Sequence, residues 1–300
     1  MTREQRDELA ALLPAGRVRF DEPMSLHSAV AAGGPVEAFV MVEDIEELKR
    51  VIGWAVERDL DYRFWGKGSA LLVRDKGVRG LIVALGSEFS KTWVERASGE
   101  EIYVACSAAT PIWELLNFCT NEKLTGLEGI ACEPGTVGGF LCASSSSTAE
   151  GPLSALEEIT IVTKDGRELT LRRSAIRVEE GRLKIPRTSA VTRALFKLSR
   201  AAEIAEAPRH CPDSGAGLPH LRCVFTSDCR TAASELIEDS GLKGVRVGGA
   251  RVSMEDANSI VNQGKATARD IAVLMNLMRD RVREQTGVVL VPMIELIGER

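Results

Sequence analysis

Residues 134–139, PGTVGG, hold three of the chain's 27 glycines and run into an uncharged stretch at 140–149. Glycine lacks a Cβ, so its backbone can turn sharply and lie directly against a ligand. Pro134 fixes the approach to Gly135, Thr136, Val137, Gly138 and Gly139. The N–H groups that follow can face an anion such as a diphosphate. A tight strand-to-helix turn without a ligand explains the hexapeptide equally well. A second glycine-rich loop is Gly66, Lys67, Gly68, Ser69, Ala70 and Leu71. It lacks the GxxxxGK[ST] spacing of a Walker loop and the third glycine of GxGxxG. Gly33 and Gly34, before Pro35, make a third sharp turn.

These loops need elements to position them. Residues 3–13 carry an amphipathic helical pattern, and 36–42 (VEAFVMV) read as a buried strand. Asp44 can cap the next helix, with Glu47 closing a capping box. Ile45, Leu48, Val51, Ile52 and Ala55 then share one helical stripe. Strands at 62–65 and 80–85 complete a β-α-β unit. Its glycine loop leaves a strand end, a common place for cofactor phosphates. Residues 86–104 carry charges and a polar turn, and 102–106 read as a strand. Pro111 suits the first turn of a helix that carries Ile112, Leu115, Leu116 and Cys119. Residues 158–163 and 168–171 form a hairpin around Lys164, Asp165 and Gly166. A loop at 173–190 and a strand at 194–198 follow.

Residues 204–220, rich in Pro, Gly and Ala, read as a linker, which puts a boundary near 205. Beyond it come a helix at 232–240 ended by Gly241 and short strands at 245–249 and 250–253. A long helix at 267–286 is stopped by Gly287, and 288–297 read as one closing strand. Trp54, Trp65, Trp113, Cys106, Cys119, Cys132 and Cys142 read as packing residues.

The 300 residues are 44% hydrophobic and 27% charged, with a net charge of −5. That balance argues against non-specific nucleic-acid binding, which needs clustered Lys and Arg. No window approaches the roughly 18 apolar residues of a membrane span. The first 20 residues have no signal-peptide core. Seven cysteines without paired spacing suit a reducing compartment, so a cytoplasmic location is expected. His210, Cys211, His220, Cys223 and Cys229 lie close together, but their spacing matches no common zinc pattern, and no metal is expected.

Five stretches carry a resemblance. They are SLHSAVAAGGPVEAFV (25–40), GKGSALLVRDKGVRGLIV (66–83), GLEGIACEPGTVGGFL (126–141), the block 235–271 with GLKG, GGARVS and ANSIVN, and GVVLVPMIELIG (287–298). In this order they resemble the UDP-N-acetylenolpyruvoylglucosamine reductase (UDP-N-acetylmuramate dehydrogenase) family of peptidoglycan precursor synthesis. The resemblance implies an α+β chain. A two-part FAD-binding fold of the vanillyl-alcohol oxidase/PCMH type would occupy 1–85 and 86–204. A C-terminal α+β substrate-binding domain would occupy 205–300. It implies FAD and NADPH as cofactors and a nucleotide-sugar substrate; a monomer is expected. The implied FAD contacts are Gly33 and Gly34, the loop from Gly66 to Leu71, and the loop from Pro134 to Gly139.

The family's reduced flavin gives hydride to C3 of an enolpyruvyl ether. Charge develops toward the substrate carboxylate, and C2 takes a proton. Arg187 falls where the family's Tyr-Arg-x-Ser motif polarises that carboxylate, with Pro186 replacing Tyr. Cys223 falls at the proton donor, and an ordinary thiol holds its proton at pH 7. Met293 falls where the family has a Glu, and a thioether cannot replace a carboxyl group. In one strand, Glu295 would face the same side as Met293, displaced by about 6.6 Å, so it is the candidate substitute. Pro186, Met293 and the serines at 144–147 keep two alternatives open. One is a flavin-binding paralogue with a binding or regulatory role. The other is a flavin oxidoreductase for another substrate.

Overall fold

In this computed structural model, Asp44 opens the helix Ile45–Glu57 by accepting the Glu47 N–H at 2.7 Å. The Glu47 carboxylate reaches past Asp44 and accepts the Glu43 N–H, also at 2.7 Å. The capping box therefore closes one residue earlier than its spacing predicts. Arg17 Nη1 lies beside both carboxylates, 3.3 Å from Glu43 and 3.7 Å from Glu47.

The structure describes residues 1–131, 133–143, 152–179, 182–201, 217–227 and 231–299. The chain forms two compact units. Met1–Asp21, Glu37–Gly66 and Gly80–Cys211 make the first; Glu22–Val36, Lys67–Arg79 and Pro212–Arg300 make the second. These are not the three consecutive blocks expected. Residues 22–36 and 67–79 belong with the C-terminal part. Most of the 204–220 linker lies outside the described residues.

The first unit holds two cores. In one, Leu48, Val51 and Ile52 of the helix meet Val40, Val42, Leu81 and Val83. The sheet order is Val18–Pro23, Pro35–Val42, Val78–Leu85, Tyr62–Trp65, and the last two strands run parallel. The other core lies against a six-stranded sheet. Its central strand, Ala190–Arg200, pairs antiparallel with Glu101–Ser107 and with Leu156–Val162. The expected strand at 194–198 is thus part of a longer one that buries Ala194, Phe196 and Leu198. Thr92–Ser98 is an edge strand that the charge pattern hid, because nearly all of it faces solvent.

Trp54 and Trp65 are buried as expected, but Trp113 is 57% exposed. It falls off the helical stripe of Ile112, Leu115, Leu116 and Cys119 that faces the core. Cys106 and Cys119 are buried, and burial pushes the Cys119 thiol up to about 12. Cys142 is exposed, and Cys132 lies outside the described residues.

The second unit is built on the helix Ala268–Thr286. Thr267 and Asp270 form its capping box, and Gly287 ends it at φ +74°. Ile271, Leu274, Met275, Met278 and Val282 face the core. A sheet of order His220–Leu221, Ile260–Asn262, Ala250–Val252, Arg246–Val247 belongs to this unit. The single closing strand expected at 288–297 is two strands. Leu290–Pro292 pairs antiparallel with Phe225–Ser227, whereas Glu295–Ile297 pairs parallel with Leu71–Val73. The chain breaks between them because each half has a different partner.

Candidate flavin and active site

In the first unit, the 134–139 loop spends most of its donors on the protein. Val137 N–H donates to the Thr110 carbonyl at 2.9 Å and Gly138 N–H to that of Ala108 at 2.8 Å. Gly139 N–H donates to Thr136 Oγ1 at 3.2 Å, capping the short helix Val137–Cys142. Three of the N–H groups expected to face an anion are therefore taken. Those of Gly135 and Thr136 donate to no acceptor among the described residues. Amides left without an acceptor seek one, so these two, one half-buried and one buried, suit a phosphate oxygen. A Cβ on Gly66 would lie 2.8 Å from Thr136 Oγ1, and one on Gly138 2.9 Å from the Ala108 Cβ. Close packing demands glycine at both.

In the second unit, Gly68 and Ala70 use their carbonyls to accept the Ala29 and Glu295 N–H groups at 3.2 and 2.9 Å. The N–H groups of Lys67, Gly68 and Ala70 donate to no acceptor among the described residues. This loop keeps the bare donors that a diphosphate needs. The Asp75 carboxylate accepts the Ala268 and Arg269 N–H groups at 2.8 and 3.0 Å, tying the segment to the long helix. Gly33 and Gly34 pack on their own chain. Gly33 sits at φ +138°, and a Cβ on Gly34 would meet the carbonyls of Arg74 and Asp75 at 2.5 and 2.4 Å.

Cys223 is half-buried in the second unit and has φ +49°, a left-handed conformation rare for a side-chain-bearing residue. The next residues are tightly held. Val224 N–H donates to the Asn258 carbonyl at 3.0 Å. The Asn258 side chain accepts the Phe225 N–H at 2.9 Å and donates to the Phe225 carbonyl at 2.8 Å. Met293 N–H donates to the Val224 carbonyl at 2.9 Å. Residues 293–295 thus link the segment after Cys223 to Ala70 of the glycine loop. The bend at Ile294 removes the basis for putting Met293 and Glu295 on one strand face. Glu295 is half-buried opposite Leu71.

Arg187 sits in the first unit on an exposed turn, closed by Ser189 N–H to the Pro186 carbonyl at 2.8 Å. Tyr62 Oη donates to the Thr188 carbonyl at 2.8 Å. Burial pushes the Tyr62 hydroxyl up.

Sequence reasoning gave no role to Asn258, Asp75 or Tyr62, although Asn258 lies in the ANSIVN stretch. Asp256-Ala257-Asn258 was the available signal, since Asp256 accepts the Asn258 N–H at 3.0 Å and sets the turn. Nothing local marks Tyr62 or Asp75, whose partners lie more than 100 residues away. Among the described residues no cluster of His, Cys, Asp or Glu could hold a metal; His210, Cys211 and Cys229 lie outside them. No described helix is long and apolar enough to cross a membrane.

Residues 36–172 match an FAD binding domain. A VAO-type flavoprotein from Myceliophthora thermophila superposes with a TM-score of 0.52 at 12% identity, over 97% of this chain and 63% of that one. The fold is therefore the FAD-binding type of the vanillyl-alcohol oxidase class. Residues 215–297 match the C-terminal domain of UDP-N-acetylenolpyruvoylglucosamine reductase. The reductase of Desulfosudis oleivorans is 33% identical over 94% of this chain and 95% of its own length. Reductase 2 of Symbiobacterium thermophilum is 35% identical over 94% and 93%. The crystal structure of the Thermus caldophilus reductase superposes with a TM-score of 0.75 at 29% identity, over 94% of this chain and all of that one. The chain belongs to the UDP-N-acetylenolpyruvoylglucosamine reductase family.

Proposed function

We propose that the protein reduces UDP-N-acetylglucosamine enolpyruvate to UDP-N-acetylmuramate with NADPH, as a cytoplasmic monomer in peptidoglycan precursor synthesis. The observation that carries this reading is Cys223, at the family's proton-donor position. It is held left-handed, followed directly by the Asn258 clamp and the Met293 bond. A strained backbone at a reacting side chain persists only where its surroundings enforce it.

The chemistry FAD supplies when bound is hydride transfer from NADPH to C3 of the enolpyruvyl ether. Gly135 and Thr136 offer N–H donors of the kind a diphosphate takes, and so, separately, do Lys67, Gly68 and Ala70. Gly33, Gly34, Gly66, Ser69, Leu71, Pro134, Val137, Gly138 and Gly139 shape the backbone around those donors. Arg187 balances negative charge developing on the substrate carboxylate. Cys223 Sγ holds the proton that C2 takes up. Glu295, next to the glycine loop through its bond to Ala70, is the acidic group offered in place of the missing Glu.

The test is NADPH oxidation by the purified protein with and without the enolpyruvyl nucleotide, after its flavin spectrum is recorded. Substrate-dependent oxidation by a yellow protein is expected. Met293 favours a second reading, a flavin-binding protein without this activity. Yellow protein with no substrate-dependent turnover would select it.

A further inference from the structure

A cavity of about 250 Å³ opens in the second unit between the long helix and the strands around residue 294. Phe225, Met275 and Ile294, each no more than 4% exposed, form its floor with Leu296. Arg74 and Arg279 line it, and no Asp or Glu is among the described lining residues. The Arg74 guanidinium has no hydrogen-bond or ion-pair partner among the described residues. Arg279 has only Asp280, its helix neighbour, at 3.8 Å. Neither Cys223 nor residues 67–70 line this space.

We propose that the cavity binds a small organic carboxylate with an apolar ring or chain. Two guanidinium groups lining one space make it electropositive, and their forked donors match a carboxylate. Water can bridge the polar rim of Arg74, Asn276 and Arg279, but it finds no partner on the hydrocarbon floor. A bare inorganic anion would leave that floor unfilled. An apolar body with one acidic end satisfies both halves, the usual makeup of a small-molecule site. The site is independent of the flavin chemistry above, so its test does not rest on that reading.

The test is calorimetric titration of the purified full-length protein with benzoate and hexanoate, and with the neutral benzamide and hexanamide. Saturable binding of at least one carboxylate is expected. Its amide should bind at least about tenfold more weakly, a difference of about 1.4 kcal/mol. Arg74→Gln and Arg279→Gln should each weaken the carboxylate by a similar factor. Ala272→Leu fills the space without touching either charge and should abolish binding. The Ala272→Leu protein also separates this cavity from any other anion site. No saturable carboxylate binding, equal affinity for acid and amide, or affinity unchanged in the Ala272→Leu protein would overturn the proposal.

Discussion

The Asn258 side chain holds both polar backbone groups of Phe225, two residues after the left-handed Cys223. One amide thereby stands in for a neighbouring strand and fixes where the chain leaves the thiol. Asn258→Ala strands a donor and an acceptor and should cost about 1–3 kcal/mol of stability. Turnover should fall more than stability accounts for, while flavin content stays constant. Thermal melts and steady-state rates on the same preparation check this.

Asn262 is a second such staple, buried at 3% exposure. Its Nδ2 donates to the Val30 and Ala31 carbonyls at 2.8 and 3.2 Å. Its Oδ1 accepts the Gly264 and Ala266 N–H groups at 2.8 and 2.9 Å. Asn262→Ala should cost about 3 kcal/mol or more, because several buried groups lose partners at once. Chemical denaturation should show a lower midpoint. A loss under about 1 kcal/mol would contradict this role.

Gly66→Ala would place a Cβ 2.8 Å from Thr136 Oγ1, which already caps Gly139 N–H at 3.2 Å. Thr136 cannot give way without uncovering that amide. FAD affinity should fall about tenfold or more, equivalent to about 1.4 kcal/mol, measured as flavin retained after dialysis. Full retention would show that the loop does not touch the cofactor.

The Thr267 and Gly249 N–H groups hold the Asp270 carboxyl below its usual range. A depressed carboxylate adds stability above its unfolded value, about 3.9. It loses that contribution as pH falls through the folded value. Asp270→Asn should therefore cost about 0.5–1 kcal/mol at pH 7, the low end of capping effects because the group is partly solvated. Below about pH 4 the gap between wild type and variant should close, as melts at pH 7 and pH 3 can show.

What the sequence made legible was local. The helix Ala268–Thr286 announces its ends, since Thr267 and Gly287 each act within one turn of themselves. The two glycine loops were visible for the same reason. Which amides they leave open was not, because Thr110 and Ala108 supply the acceptors for Val137 and Gly138 from another part of the chain. The broken closing strand was hidden likewise: 288–297 is uniformly apolar apart from Glu295, and only its two partners split it. Residues 22–36 and 67–79 join the second unit through contacts such as Asn262 with Val30 and Asp75 with Ala268. No periodicity reports such distant pairings. Thr92–Ser98 was missed because an edge strand with two wet faces lacks the alternation that marks a strand.

The most direct test separates the two half-reactions by stopped-flow absorbance of the flavin in Cys223→Ala. Reduction by NADPH should proceed at the wild-type rate. Reoxidation by the enolpyruvyl nucleotide should slow by about a hundredfold or more, the usual contribution of a positioned proton donor. Reoxidation at the wild-type rate would contradict the role given to Cys223, and a wild-type flavin that the enolpyruvyl nucleotide never reoxidises would contradict the reductase reading itself.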